Sequence, residues 1–93
     1  MKCARGRKRA VIVSNDASNQ HLNRGQVVPL SSKVAKLYPS EAYVSLSGEQ
    51  PKAMADQIAT VSRARLGARL GALSTYDVRA VERAIRAQLA LEP

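Results

Sequence analysis

The sequence predicts a small, mainly β protein: an antiparallel barrel or curled sheet closed by one C-terminal helix, α+β by element count. Short apolar runs alternate with turn-forming residues, and a single amphipathic helical pattern stands at the end of the chain. No internal repeat or linker divides the 93 residues. We therefore expect one domain over residues 1–93, in which residues 1–7 form a basic, disordered tail.

The first strands are indicated by β-branched runs. Residues 10–13 are apolar and stop at the turn formers Ser14 and Asn15, and residues 26–30 form the next candidate strand. Pro29 cannot donate a ladder hydrogen bond, so we expect an edge position or a bulge at that residue.

The middle of the chain continues the β pattern. Residues 42–46 alternate, which places Ala42, Val44 and Leu46 on one face of a strand and Tyr43 on the other. The remaining β-like or turn-like segments are residues 53–61, taken as one or two strand pieces, residues 62–66, taken as a helical turn, and residues 69–73, taken as a strand.

The clearest element is a helix over residues 75–91. Ser74 stands at the N-cap position and Asp77 follows three residues later, as in an acidic variant of the capping box. Apolar residues then recur at helical spacing, at Val78, Val81, Ile85 and Leu89. The chain has three Tyr and neither Phe nor Trp, so the core must be built from Val, Leu, Ile, Ala and Met.

The charge of the chain is unevenly distributed. The formal net charge is +8, and residues 1–24 carry six Lys or Arg against one acid, while residues 63–93 carry six against three. Two basic ends around a neutral middle favour a polyanionic partner such as nucleic acid. A solvated basic surface without a partner explains the charge equally well.

Compartment and membrane association follow from what the sequence lacks. A single cysteine excludes an intrachain disulfide framework. The apolar run 10–13 after the basic start is too short for a signal peptide, and no segment reaches the length of a transmembrane helix. We expect a cytoplasmic protein without a membrane partner.

Several classes of chemistry are disfavoured by the residues present. One His and one Cys cannot supply the usual zinc ligands, the carboxylates are scattered, and no phosphate-binding glycine loop occurs, so we expect neither a metal nor a cofactor. His21 lies in a polar segment, where a lone histidine is more often inert than catalytic. From chemistry alone, the sequence indicates a basic β domain that could bind nucleic acid.

An ordered set of short motifs carries a resemblance to a known family. "VIVSND" begins at Val11, "VVPLSS" at Val27, "AKLYP" at Ala35 and "ADQI" at Ala55, and further matches occur at Arg65-Leu66 and in the terminal helix. Each motif is weak alone, but together they cover about residues 8 to 91 with compatible loop lengths. The chain resembles the MazF/PemK family of toxin ribonucleases.

The resemblance implies a fold, an activity and partners. Members of this family are SH3-like β-barrels with a C-terminal helix, they form homodimers, and a cognate antitoxin inhibits them. They cut single-stranded RNA at short motifs without a metal. The 2′-OH attacks the adjacent phosphate and leaves a 2′,3′-cyclic phosphate and a 5′-OH end. Such a reaction needs stabilisation of a crowded, charged phosphorane and help in moving protons.

The implied catalytic residues are Lys8, Arg9 and Ser31. The family's Arg-Pro pair before the apolar strand aligns with Lys8 and Arg9, so either cation is a candidate for the scissile phosphate. An arginine would give a bidentate contact and a lysine a point charge. The family's Thr or Ser after the third apolar strand falls on Ser31, whose hydroxyl can donate to a phosphate oxygen. The alternatives are a solvated basic edge and a serine that caps a turn.

Further residues are expected to bind RNA. Gln57 matches a family glutamine near the RNA groove, where it could read base edges. The other candidates for RNA contact are Arg7, Ser32, Lys33 and Lys36, although the lysines are equally compatible with an ordinary surface.

The start of the chain departs from the family pattern. Family members begin with an additional strand and a long loop carrying Gly-Ser-Glu, whereas "KCARGRK" does not look like a strand. We expect a member that lacks the first strand, or a start codon assigned too late. The alternative functions are a degenerate module that binds RNA or antitoxin without cutting, and a ribosomal-type SH3-like domain.

Overall fold

A computed structural model describes residues 1–6, 8–15 and 20–91 of the chain. In these ranges seven strands are followed by a C-terminal helix, and residues 20–22, between the second and third strands, are also helical. The strands are β1 (Lys2–Arg5), β2 (Arg9–Ile12), β3 (Arg24–Ser31), β4 (Glu41–Tyr43), β5 (Lys52–Met54), β6 (Ala59–Ser62) and β7 (Arg69–Ala72), and the helix is α1 (Thr75–Leu89). The predicted fold class, an antiparallel sheet closed by a C-terminal helix, is confirmed.

The long strand β3 is the axis of the sheet. The strand order is β4-β5-β3-β2-β1-β7, all neighbours are antiparallel, and β6 also pairs with β3. On the side away from β2, β3 pairs with β6 up to Val27 and with β5 from Leu30 onward. The expectation of an edge or a bulge at Pro29 is therefore wrong: β3 is central, and Pro29 lies where the strand changes partner.

The amino terminus corrects the sequence-based expectation most clearly. Lys2–Arg5 is not a disordered tail but a strand, paired with β2 on one edge and with β7 on the other. Cys3 and Ala4 are both buried, at 0% and 5% exposure, so these two small side chains anchor the strand. The cations on either side of them make the segment look unlike a strand in the sequence. The first strand is thus present. Between β1 and β2 the Gly6 N–H donates to the Lys8 carbonyl at 3.1 Å.

The core lies between the curled sheet and α1. Its nine buried residues come from four strands, from the segments that follow β4 and β7, and from the helix: Cys3, Val11, Val28, Leu30, Val44, Leu46, Ala53, Leu73 and Val81. A smaller cluster of Ala42, Ala55 and Ala84 joins the helix to the β4–β5 region. Small aliphatic side chains fill this interior as composition required, with the Cys3 thiol as an unexpected member whose pKa burial raises.

The middle of the chain has the predicted burial pattern, but the strand predicted over residues 42–46 is shorter: β4 ends at Tyr43, and Leu46 forms an isolated bridge with Glu49. Ala42, Val44 and Leu46 are buried and Tyr43 is exposed, as the alternation predicts. The segment after β5 splits at a 3-10 turn, Ala55–Gln57, and the predicted helical turn after β6 is a second 3-10 turn, Arg63–Arg65. We call the latter the arginine turn.

The terminal helix begins as predicted. The Ser74 hydroxyl accepts from the Asp77 N–H at 3.1 Å, but the Asp77 carboxylate does not complete a capping box, because it accepts from the Ser45 N–H at 2.8 Å and ties the helix to the sheet. The helix ends at Leu89, where Ala90 takes a left-handed conformation. Leu89 is 49% exposed and lies outside the core. Among the described residues no helix has the length and hydropathy that crossing a bilayer requires.

Candidate functional site

A groove of about 350 Å³ opens where β2 and β3 meet the two 3-10 turns. Its rim carries the polar residues Lys8, Arg9, Ser31, Gln57 and Arg65. Its walls are largely aliphatic and are formed by Ala10, Val27, Pro29, Leu30, Met54, Ala59, Val61 and Leu66. Cations above an apolar floor suit a ligand that combines phosphates with flat, weakly polar rings.

Strand alternation explains how β3 contributes to the groove. Val27, Pro29 and Ser31 are spaced two residues apart and all line it, whereas Val28 is fully buried in the core. Leu30 is the exception, since it belongs to the core and also reaches the groove. Ser31 ends the strand and pairs with Lys52 on β5. The candidate hydroxyl is therefore held by the sheet and not by a free loop.

The Ser31 hydroxyl has a defined orientation. Its oxygen accepts a hydrogen bond from the Lys33 N–H at 3.1 Å, and none of the described residues receives the hydroxyl hydrogen. Because a serine hydroxyl can accept and donate at the same time, this arrangement leaves its donor available to a ligand oxygen.

The two candidate cations Lys8 and Arg9 differ in their surroundings. Lys8 is exposed and lines the groove, and in the described part of the chain no carboxylate pairs with its ammonium. Arg9 shares a strand face with the core residue Val11, and only 17% of its side chain is exposed. Its guanidinium donates to the Glu49 carboxylate at 3.1 Å. One cation is thus free to meet a ligand, and the other is already paired.

Gln57 lies at the end of the 3-10 turn that follows β5. Its side chain is exposed on the groove rim and makes a long contact, 3.8 Å, from Nε2 to the sulfur of Met54. The side-chain oxygen accepts from no described residue, so the amide keeps both donor and acceptor capacity for a ligand edge.

The other predicted RNA contacts lie apart from the groove. Lys33 and Lys36 are exposed on the loop after β3 and do not line it, and the Lys36 carbonyl accepts from the Lys52 ammonium at 2.9 Å. Ser32 borders a separate, smaller depression beside Arg9 and Glu49. Arg7 lies outside the described residues.

The structure adds one rim residue that sequence reasoning did not single out as functional. Arg65 lines the groove from the arginine turn, more than fifty positions along the chain from Lys8. The motif Arg65-Leu66 is visible in the sequence, but only the tertiary contact between the arginine turn and the β1–β2 turn shows where it points. No three His, Cys, Asp or Glu side chains in the described ranges come together as a metal site would require.

Comparisons with known proteins agree on one family. A family model described as "PemK-like, MazF-like toxin of type II toxin-antitoxin system" matches residues 2–89. The chain is 35% identical over 97 aligned positions to "Endoribonuclease MazF9" of Mycobacterium tuberculosis, covering 95% of this chain and 82% of that protein.

Solved structures show the same fold. An endoribonuclease from a mycobacterial species has a TM-score of 0.89 and 25% identity, covering 99% of this chain and 90% of its own. An endoribonuclease solved in complex with its cognate antitoxin, also mycobacterial, has a TM-score of 0.88 and 24% identity, covering 99% and 94%. Since the family match spans nearly the whole described chain, including β1, the protein belongs to the PemK-like, MazF-like toxins of type II toxin–antitoxin systems.

Proposed function

We propose that this protein is a sequence-specific endoribonuclease that cleaves single-stranded RNA without a metal ion. The observation that carries the proposal is that one groove holds Lys8, Arg9, Ser31 and Gln57 together. Similarity also supports the proposal, because a relative that is 35% identical is named as an endoribonuclease. A degenerate module without the first strand is disfavoured because β1 is present.

The reaction uses the RNA's own 2′-OH as nucleophile. Its oxygen forms a bond to the adjacent phosphorus, the bond from phosphorus to the 5′-oxygen breaks, and the proton lost from the 2′-OH is balanced by one gained at the 5′-oxygen. The products are a 2′,3′-cyclic phosphate and a 5′-OH end. The protein accelerates this step by stabilising the extra negative charge on the phosphorane oxygens.

Lys8 and Ser31 act at the scissile phosphate in this proposal. The Lys8 ammonium, which pairs with no carboxylate of the described residues, supplies a positive charge, and the Ser31 hydroxyl, oriented by the Lys33 N–H, donates to a non-bridging oxygen. Arg9 contributes positive potential from the side while it stays bonded to Glu49. Gln57 contacts a base edge and takes part in choosing the cleaved motif.

Two matched pairs of variants test these assignments. Purified protein is incubated with a long single-stranded RNA in EDTA, and the product ends are mapped for 5′-OH groups. Lys8→Ala and Ser31→Ala are expected to lower the cleavage rate by about 100-fold or more, the range reported for loss of one transition-state donor. Lys36→Ala and Ser32→Ala, which remove the same groups outside the groove, are expected to cleave normally.

The outcome that overturns the proposal is equally specific. Intact RNA after incubation with the wild-type protein in EDTA refutes the nuclease, whereas cleavage by Lys8→Ala at the rate of Lys36→Ala refutes the assignment of Lys8. Ser31→Thr keeps a hydroxyl and is expected to restore much of the activity that Ser31→Ala loses. Melting curves of all variants ensure that only folded proteins are compared.

We further propose that the protein acts in the cytoplasm as a homodimer held inactive by a cognate antitoxin. The family description and the antitoxin complex of a relative support the inhibitor. Large apolar side chains left on the monomer surface, among them Leu37, Tyr43 and Tyr76, support a further protein partner. Sedimentation of a monomer at micromolar concentration refutes the dimer, and unchanged cleavage with saturating antitoxin refutes the inhibition.

A further inference from the structure

The arginine turn places one of its two arginines on the groove and the other outside it. Arg65 lines the groove with its neighbour Leu66, whereas Arg63 is exposed on the same turn but is absent from the groove lining. In the described part of the chain no carboxylate pairs with either guanidinium. The two residues therefore offer the same free charge at two positions, only one of which faces the groove.

The turn is fastened to the loop that carries Lys8. A Cβ added to Gly6 would lie 2.6 Å from the Arg65 carbonyl oxygen, and one added to Gly67 would lie 2.6 Å from the Arg5 carbonyl oxygen. The two segments thus touch through backbone at positions where only glycine fits. The Gly67 N–H also donates to the Arg5 carbonyl at 2.9 Å.

The remaining backbone bonds of the turn make it a fixed platform. The Leu66 N–H donates to the Arg63 carbonyl at 3.0 Å, and the Arg63 N–H donates to the Asn23 carbonyl at 3.1 Å. The Gly6 N–H donates to the Lys8 carbonyl, so Lys8 and Arg65 lie on two segments that are joined by backbone contacts at one corner of the groove. Two cations that line one groove raise the positive potential in it, and this potential favours a bound polyanion.

We propose that Arg65 binds an RNA phosphate next to the scissile one, so that Lys8 and Arg65 hold two consecutive positions of the backbone. This inference rests on the proposed ribonuclease function and assigns Arg65 to substrate binding, not to the bond-breaking step. A planar guanidinium suits this task, because it can hold one phosphate with two parallel hydrogen bonds. The aliphatic wall beside it, with Leu66, then supports the base attached to that phosphate.

The test compares Arg65→Ala with Arg63→Ala, which removes the same charge from the same turn. Binding of a mixed-sequence 2′-O-methyl oligonucleotide, which cannot be cleaved, is measured by fluorescence anisotropy over a range of salt concentrations. We expect Arg65→Ala to raise Kd by about three- to tenfold and to reduce the slope of log K against log salt by about 0.7, the value for one phosphate contact with a single strand. Arg63→Ala is expected to change the slope by much less.

Cleavage kinetics separate binding from catalysis. In Arg65→Ala we expect KM to rise while kcat at saturating RNA stays close to that of the wild type, whereas Lys8→Ala lowers kcat. Arg65→Lys keeps the charge and is expected to retain the salt slope while losing part of the affinity. This variant also distinguishes loss of a contact from damage to the turn.

Each result decides between named possibilities. Equal slopes and equal Kd values for Arg65→Ala and Arg63→Ala, in a protein that cleaves RNA, overturn the role of Arg65 and leave the proposed function standing. A fall in kcat equal to that of Lys8→Ala overturns the assignment to binding. If the wild-type protein neither binds nor cleaves RNA, the proposed function fails and the inference fails with it.

Discussion

The buried ion pair between Glu41 and Lys52 gives a prediction whose size follows from the structure. The two side chains are 8% and 10% exposed, and the Lys52 ammonium lies 3.0 Å from the Glu41 carboxylate. The ammonium also donates to the Lys36 carbonyl at 2.9 Å, and the carboxylate accepts from the Tyr38 N–H at 3.0 Å. The pair therefore fastens the loop after β3 onto β4 and β5.

Removing one partner leaves the other charge buried and unpaired. For Lys52→Met we expect the free energy of unfolding to fall by about 3–5 kcal/mol, the usual cost of breaking a buried pair. For a domain of this size each kcal/mol corresponds to about 4–8 °C, so the melting midpoint falls by roughly 12 °C or more. Combining Lys52→Met with Glu41→Leu removes both charges and is expected to recover at least about 2 kcal/mol of that loss.

The same pair predicts an acid dependence of stability. Burial alone would raise the pKa of Glu41, but the hydrogen bond from the Tyr38 N–H and the ion pair with Lys52 outweigh it, so the pKa lies below its ordinary value of 4.5. A carboxyl with a lowered pKa stabilises the fold above that ordinary value and loses its contribution as the pH falls through the folded pKa. The stability difference between the wild type and Glu41→Gln is therefore expected to be constant near neutrality and to shrink below about pH 4.5.

Urea unfolding of the wild type, Lys52→Met, Glu41→Leu and the double variant measures the coupling directly. A sum of single losses equal to the loss in the double variant would show that the charges do not interact, which contradicts the reasoning. A difference between the wild type and Glu41→Gln that stays the same from pH 7 to pH 3 would contradict the pKa argument. Tyr43→Phe serves as a control on the same strand, since Tyr43 is exposed and, among the described residues, its hydroxyl bonds only the Val34 carbonyl.

Three further perturbations test separate contacts. Asp77→Ala removes the bond to the Ser45 N–H and a favourable charge in the first helical turn, so urea unfolding is expected to show a loss of about 2–4 kcal/mol, and a loss below about 0.5 would contradict the contact. Glu49→Gln frees the Arg9 guanidinium and removes one negative charge, so RNA affinity is expected to rise by about two- to fivefold in an anisotropy titration, and unchanged affinity would contradict the competition. Gly6→Ala forces a Cβ to within 2.6 Å of a backbone oxygen, so we expect a melting midpoint lower by several degrees, which an unchanged midpoint would refute.

Elements with a local signature could be predicted from the sequence. Helix α1 was predictable because Ser74 and the apolar spacing after it act within a few residues, and strands β2 and β3 because their β-branched runs are continuous. Strand β1 has no such signature. Its two buried residues, Cys3 and Ala4, are adjacent because pairing with β7 shifts register between them, and this breaks the alternation that a sequence pattern can detect.

The candidate site was predictable only where the family motif carries it. Lys8, Ser31 and Gln57 were found from ordered motifs, and the groove brings them together. Arg65 could not be ranked, because its place on the groove depends on the backbone contact with Gly6, and this contact joins segments far apart in the sequence. The loop lysines were favoured by their charge and by their place after Ser31, and neither property shows on which side of the sheet a side chain lies.

The sequence leaves the choice between Lys8 and Arg9 open, and the two side chains differ in their surroundings in the structure. In sequence the arginine is the better phosphate ligand, since its fork can hold two oxygens. In the structure Arg9 lies on the strand face of Val11, and its guanidinium is bonded to a carboxylate forty positions away. A phosphate that used Arg9 would have to compete with Glu49, whereas no carboxylate of the described residues competes for Lys8. We therefore propose Lys8 at the scissile phosphate and Arg65 at the neighbouring one, with Arg9 remaining bonded to Glu49.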